Sequence, residues 1–147
     1  MKNKIITMGC GSEVPKAVMG EGSSNYLDSI NILYSRESID NFLGFDPTEE
    51  NIKYVSYAMV KGALIHAGVS YNEEAREDDL RVIVVTASTF VTNQRKGRLN
   101  RYVIGYIDLT KDYDPVKVNI DTDELTYTSR TLDESLIADH VAKLLKK

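Results

Sequence analysis

A chain of 147 residues with 42% hydrophobic and 27% charged side chains has the composition of one globular domain, long enough to bury about 68–70% of its unfolded surface. Its net charge of −4 and pI near 5.2 exclude general binding to long nucleic acid, since most of the surface would repel a phosphate backbone. One cysteine, Cys10, excludes an internal disulfide and a cysteine-based zinc site, and no stretch reaches the ~20 apolar residues of a membrane span or a signal-type apolar run, which fits a cytoplasmic protein.

Lys4 to Met8 reads as a short strand. Residues 8–25 then hold four of the nine glycines, Pro15 and a Ser-Ser-Asn end, the composition of a flexible Gly-rich loop. Within it, Gly9-Cys10-Gly11-Ser12 follows a strand as a phosphate loop would. Neither G-K-[ST] nor G-x-G-x-x-G is present, so a disordered arm or an oligomer contact is the preferred reading. Ile30 to Tyr34 reads as a strand. Ser35 caps a short helix, Arg36 to Leu43, closed by Gly44. Asp46-Pro47-Thr48-Glu49 predicts the start of the longest helix, with Ile52, Val55, Met59, Ala63 and His66 on its stripe and Gly68 ending it. Its broad apolar face predicts heavy burial; self-association into a homo-oligomer would give the same pattern.

Residues 70–80 are an acidic, solvated connection. Arg81–Val91 and Leu99–Leu109 are β-rich runs flanking a polar tip, the pattern of an antiparallel hairpin. Val116–Ile120 and Leu125–Thr128 read as short strands separated by an Asp121-Thr122-Asp123 turn. Thr131 with Glu134 forms a capping box for a last helix whose stripe is Leu132, Leu136, Ile137, Val141, Leu144 and Leu145. The order of elements lacks repeated βαβ units. It predicts an α+β fold, a mostly antiparallel sheet with the long helix and the C-terminal helix packed on one side of it, as a single domain over residues 1–147.

Residues 81–107 carry Arg81, Arg95, Lys96, Arg98 and Arg101 and no acid, while the rest of the chain sums to −9. A basic island in an acidic protein points to a small anion approaching the hairpin. Centring the hairpin on Arg95 sets Phe90 opposite Asn100, Ser88 opposite Tyr102 and Thr86 opposite Ile104. One face then carries Val82, Val84, Thr86, Ser88, Phe90, Asn100, Tyr102 and Tyr106. Phe90 would stack on a base, Asn100 would read a sugar or base edge, and Arg98 and Arg101 would clamp phosphate. The competing reading makes Phe90 and Tyr102 a second core layer and the basic tip a solvated turn. No catalytic trio is visible: Cys10 has no partner motif, His66 and His140 lack ligand spacing, and the carboxylate pairs lie in open loops, so neither metal nor cofactor is implied.

Arg36, Phe90 and Asn100 together resemble the phage anti-Thoeris sponge proteins, which capture cyclic ADP-ribose signals. The resemblance implies that Phe90 stacks on adenine, Asn100 meets the sugar and Arg36 holds phosphate, within a multimer in the host bacterial cytosol. On that reading the chain is a non-enzymatic binder of a small anionic cyclic nucleotide. Two alternatives stay open: an inhibitor that binds a host nuclease or defence protein, and a nucleotide-processing enzyme with an unrecognised active site.

Overall fold

Nine elements follow one another in the computed structural model, which describes residues 1–88, 100–125 and 129–145. They are β1 (Lys2–Met8), α1 (Val14–Val18), β2 (Leu27–Leu33), α2 (Arg36–Leu43), α3 (Tyr57–Glu73), β3 (Leu80–Ser88), β4 (Asn100–Leu109), β5 (Asn119–Leu125) and α4 (Arg130–Leu145), with a 3-10 turn at Ser23–Asn25. The fold is α+β, built on a mixed five-stranded sheet in the order β2-β1-β3-β4-β5. The antiparallel part comprises β3, β4 and β5; β1 runs parallel to both β2 and β3.

Helices cover both faces of the sheet, not one. Ile6, Met8, Val82, Val84, Val103 and Ile107 point to a first face, where α2 and α3 supply Ile39, Leu43, Met59, Val60, Ala63 and Leu64. Ile5, Ile83, Val85, Tyr102 and Ile104 point to a second face, under Val14 and Val18 of α1 and Ile137, Ala138 and Val141 of α4. A strand buried on both sides must be apolar at successive positions rather than at alternate ones, and β3, LRVIVVTAS, has that composition. The expectation of one-sided packing failed because the helical residues of the second face are split between a five-residue helix near one end of the chain and α4 near the other.

The register of β3 and β4 is one residue away from the predicted one. Ser88 pairs with Arg101, Ala87 with Tyr102 and Thr86 with Val103. The two face sets of β3 are as expected, but those of β4 are exchanged. Asn100, Tyr102 and Tyr106 share the second face with Ile83 and Val85, while Val103 and Ile107 join Val82 and Val84. A single-residue slip does this because side chains alternate along a strand.

Several boundaries moved for identifiable reasons. Asp46 caps no helix: its Oδ1 accepts the Thr48 amide at 2.9 Å in a local turn, and α3 starts later behind Ser56, whose hydroxyl accepts the Met59 amide at 3.2 Å. Gly68 lies inside α3. It admits Tyr113, whose hydroxyl donates to the Gly68 carbonyl at 3.0 Å and stands 2.8 Å from where a Cβ would be. The Asp121-Thr122-Asp123 run does not turn but forms the middle of β5, a sheet edge where charged residues are tolerated. Ser129, not Thr131, caps α4, by accepting the Leu132 amide at 3.1 Å. That shift releases Glu134 from the capping box and turns it inward. Residues 9–26 carry α1 and the 3-10 turn, with Cys10, Val14 and Val18 buried in the second core.

Candidate functional site

The connections leaving β1 and β2 part company. The chain after β1 passes to α1 on the second face, and the chain after β2 passes to α2 on the first. Adjacent parallel strands whose carboxyl-end connections diverge in this way leave a crevice between them, the place where open sheets with parallel strands hold ligands. A cleft of about 270 Å³ lies there, lined by Met8 and Gly9 at the end of β1, Tyr34 and Arg36 after β2, and Tyr54 and Val55 from the 45–56 connection, among others.

Local chemistry fixes its walls. Ser35 caps α2 and thereby sets Arg36 at the first helical position. The Arg36 guanidinium donates from Nε to the Tyr54 hydroxyl at 3.0 Å and from Nη2 to Thr48 Oγ1 at 2.7 Å and Asp46 Oδ1 at 3.4 Å. Asp40 Oδ2 stands 3.8 Å from Nε, and the guanidinium lies 5.2 Å from the Tyr54 ring centre. The Tyr54 hydroxyl in turn donates to Asp40 at 2.8 Å. Its hydrogen bond to Tyr54, first, and then the nearby Asp46 raise the arginine's pKa above its ordinary value. No described residue accepts from Nη1. Two carboxylates more than offset this cation, so an anion entering the cleft meets a directed donor rather than a long-range positive field.

Val55 holds φ at +57°, a left-handed conformation that a β-branched residue adopts only under strain of about 1–2 kcal/mol. Strained residues of this kind concentrate where a chain has been shaped for a ligand. On the opposite wall, Tyr34 is 63% exposed and is stacked by Arg130 at 5.6 Å, which also donates to its hydroxyl at 3.2 Å. The sequence offered no signal for Tyr34, Tyr54 or Val55. Two of nine tyrosines carry no spacing motif, and a positive φ at valine is invisible in composition.

Of the residues singled out in the sequence, the described ones, Arg36, Asn100 and Arg101, do not share one pocket. Phe90 and Arg98 lie outside the described residues, as do Arg95 and Lys96. Arg36 lines the cleft on the first face. Asn100 is 1% exposed on the second face, beside Asp133 of α4. Arg101 is exposed, and its backbone amide donates to Ser88 Oγ at 3.3 Å. The Gly9–Gly11 turn cradles no outside anion: the Gly11 amide donates to Glu134 Oε2 at 2.8 Å, so a carboxylate of the chain occupies it. Burial, first, and the charge of Glu134 push the Cys10 thiol well above its ordinary value, which disfavours the thiolate a nucleophile needs. His66 meets Phe42 edge-on at 6.0 Å, and Nδ1 of His140 is 2.9 Å from the Tyr102 hydroxyl. Among the described residues no three His, Cys, Asp or Glu side chains come together as metal ligands, and no helix is long and apolar enough to cross a membrane.

Burial, the larger influence, raises the Asp133 carboxyl above its ordinary 3.8, with the Asn100 amide working against it. The native state therefore favours the neutral acid, and that advantage, full below 3.8, fades as pH climbs through the raised value. Asp133→Asn never ionises. Compared with the parent by thermal melting, it should gain stability progressively as pH is raised from acid to neutral and show no gain at the acid end. An unchanging difference across that range would contradict the assignment.

No family model matches the chain, and no curated protein matches it. Solved structures do. A competence or damage-inducible protein of Enterobacter asburiae superposes with a TM-score of 0.65 at 13% identity, covering 99% of this chain and 86% of that one. The competence/damage-inducible protein of Agrobacterium tumefaciens gives 0.67 at 14% identity over 100% and 86%. A competence-damaged protein (CinA) superfamily member of Escherichia coli gives 0.67 at 8% identity over 100% and 81%. At such identities the likeness is one of fold. It overturns the resemblance to the anti-Thoeris sponges, because the architecture is that of the CinA superfamily proteins. The reading of a phage anti-defence protein that sequesters cyclic ADP-ribose falls with it.

Proposed function

We propose that the protein binds a small, flat, largely apolar molecule with one anionic or acceptor group, in the cleft at the carboxyl ends of β1 and β2. The observation that carries this reading is the divergence of the two strand connections, which opens the cleft where the sheet's parallel part ends. Tyr34 and Tyr54 offer ring faces for a flat ligand. Arg36 Nη1 offers the directed donor, and its other nitrogens hold the 45–56 wall in place. The pairing of Arg36 with two carboxylates, Asp40 and Asp46, leaves no excess positive charge and favours a ligand with a single acceptor group over a polyanion. The names of the fold neighbours refer to competence and damage and carry no chemistry that would narrow the ligand further.

Titrations with an aromatic carboxylate such as indole-3-acetate and with adenosine monophosphate, followed by amide chemical shifts, test the reading. Binding should perturb residues at the ends of β1 and β2. Tyr34→Ala, at an exposed position, should weaken it by roughly 0.5–1.5 kcal/mol, about two- to tenfold. Val55→Asn, which tolerates the left-handed conformation, should melt at or above the parent while binding less well. Shifts confined to the far ends of the strands would place the ligand elsewhere and sink the proposal.

A further inference from the structure

The two edges of the sheet are chemically unlike. β5, at one edge, has Asp121, Asp123 and Glu124 within its sequence NIDTDEL, and acids brought opposite acids resist pairing with another strand. β2, at the other edge, reads LDSINIL and pairs only with β1 among the described strands. It has no lysine, proline or glycine to guard it, and Ile32 stands 44% exposed. Its one acid, Asp28, is already met by Arg76 at 3.0 Å. Burial works to raise that carboxyl, but the hydrogen bond and charge of Arg76 hold it below the ordinary carboxylate range. The edge is therefore close to neutral along its whole length.

We propose that β2 pairs antiparallel with β2 of a second copy of this chain, about a two-fold axis near Ile30, so that two five-stranded sheets become one. Such an interface must be complementary to itself. Centred on Ile30, the pairing sets Asp28 opposite Ile32 of the copy and Ser29 opposite Asn31. The two Asp28 residues then stand four positions apart, about 13 Å, beyond a Debye length at physiological salt. Backbone groups left open at the edge find partners, and the Ile32 side chains of the two copies are partly covered. The same operation on β5 would crowd acids around the axis. The apolar face of α3 is taken up by the core, as its breadth in the sequence predicts, and offers no contact to a second copy. Met59, Val60, Ala63, Leu64 and Ala67 are buried against the sheet, and only Tyr57 and Val69 leave large apolar surface exposed on that helix.

Sedimentation velocity across micromolar to submillimolar concentrations, paired with backbone amide exchange, tests this. A concentration-dependent dimer is expected, with β2 amides slowing as dimer forms. Asn31→Lys and Ile32→Lys, both at exposed positions, should each raise the dissociation constant by roughly tenfold or more, about 1.4 kcal/mol. Their melting at high dilution should match the parent's. A protein that stays monomeric throughout, a dimer unaffected by both lysines, or a dimer whose β2 amides gain no protection would each overturn the proposal. None of these results bears on the cleft, whose ligand shifts are read on the monomer.

Discussion

Gly11→Ala should cost about 3–5 kcal/mol of folding stability, while Gly20→Ala, nine residues further on in the same glycine-rich segment, should change it by less than about 1 kcal/mol. Gly11 has φ of +110°, which an alanine adopts only with strain. A methyl there would lie 2.3 Å from Thr7 Oγ1 and 2.8 Å from Thr7 Cβ, and Thr7 is fully buried in β1 between its neighbours. The clash cannot be relieved by a flexible side-chain end, so either the strand or the turn must move, at ~1–3 kcal/mol for overpacking alone. Movement of the turn also breaks the bond from the Gly11 amide to Glu134, leaving a buried carboxylate short of a donor for a further ~1–3 kcal/mol. Gly20 meets nothing within 4 Å and has no left-handed φ, so an added methyl there only narrows the unfolded chain's options. Urea unfolding of both variants distinguishes a turn seated on the body from a loose arm. Equal, small effects at the two glycines would show that the segment is not anchored as described.

The same turn shows where sequence reasoning stopped. A Gly-Cys-Gly-Ser run after a strand suggests a disordered arm or an oligomer contact, yet the turn is seated on the second core and its amide meets an anion. That anion is Glu134, 123 positions away in the chain. Nothing local announces such a partner, since Glu134 looked engaged by a capping box until Ser129 proved to be the cap. Elements governed by neighbouring residues were legible: Ser35 and Gly44 bracket α2 as expected, and β3 and β4 pair antiparallel. Features decided by distant packing were not. The parallel partners of β1, the second-face helices and the one-residue register slip all depend on which residues meet across the sheet. Of the candidate site, Arg36 alone among the described residues lines the cleft, and it was named through a family resemblance that the fold overturns; its tyrosine neighbours are set by the course of the 45–56 connection, which local propensity assigns to a helix.

Arg81→Ala should be nearly as damaging as Gly11→Ala, at about 2–4 kcal/mol, although Arg81 looked in the sequence like one more cation of the basic island. It is 8% exposed and directly opposite Asp108 in the β3–β4 register. Its Nε and Nη2 donate to the two Asp108 oxygens at 2.6 and 2.9 Å, and its Nη1 donates to the Leu144 carbonyl at 2.8 Å. The guanidinium also lies 4.3 Å from the Tyr106 ring centre. The Leu144 carbonyl belongs to the last turn of α4, where helix carbonyls lack intrahelical donors and a cation is favoured. One side chain thus ties two strands and the end of a helix together. Asp108 is 38% exposed, so the pair is partly screened, and the loss should fall below the ~3–5 kcal/mol of a fully buried pair. Arg81→Lys should recover only part of it, because an ammonium cannot bond both carboxylate oxygens in a fork and also reach the carbonyl. Amide exchange separates this account from simple loss of bulk. In Arg81→Ala the final turn of α4 should open faster than its first turn, and in Asp108→Asn, where the bond to Leu144 survives, it should not. If the last turn stays as protected as the rest of the helix in Arg81→Ala, the clasp to Leu144 contributes nothing and the arginine acts through the strand pair alone.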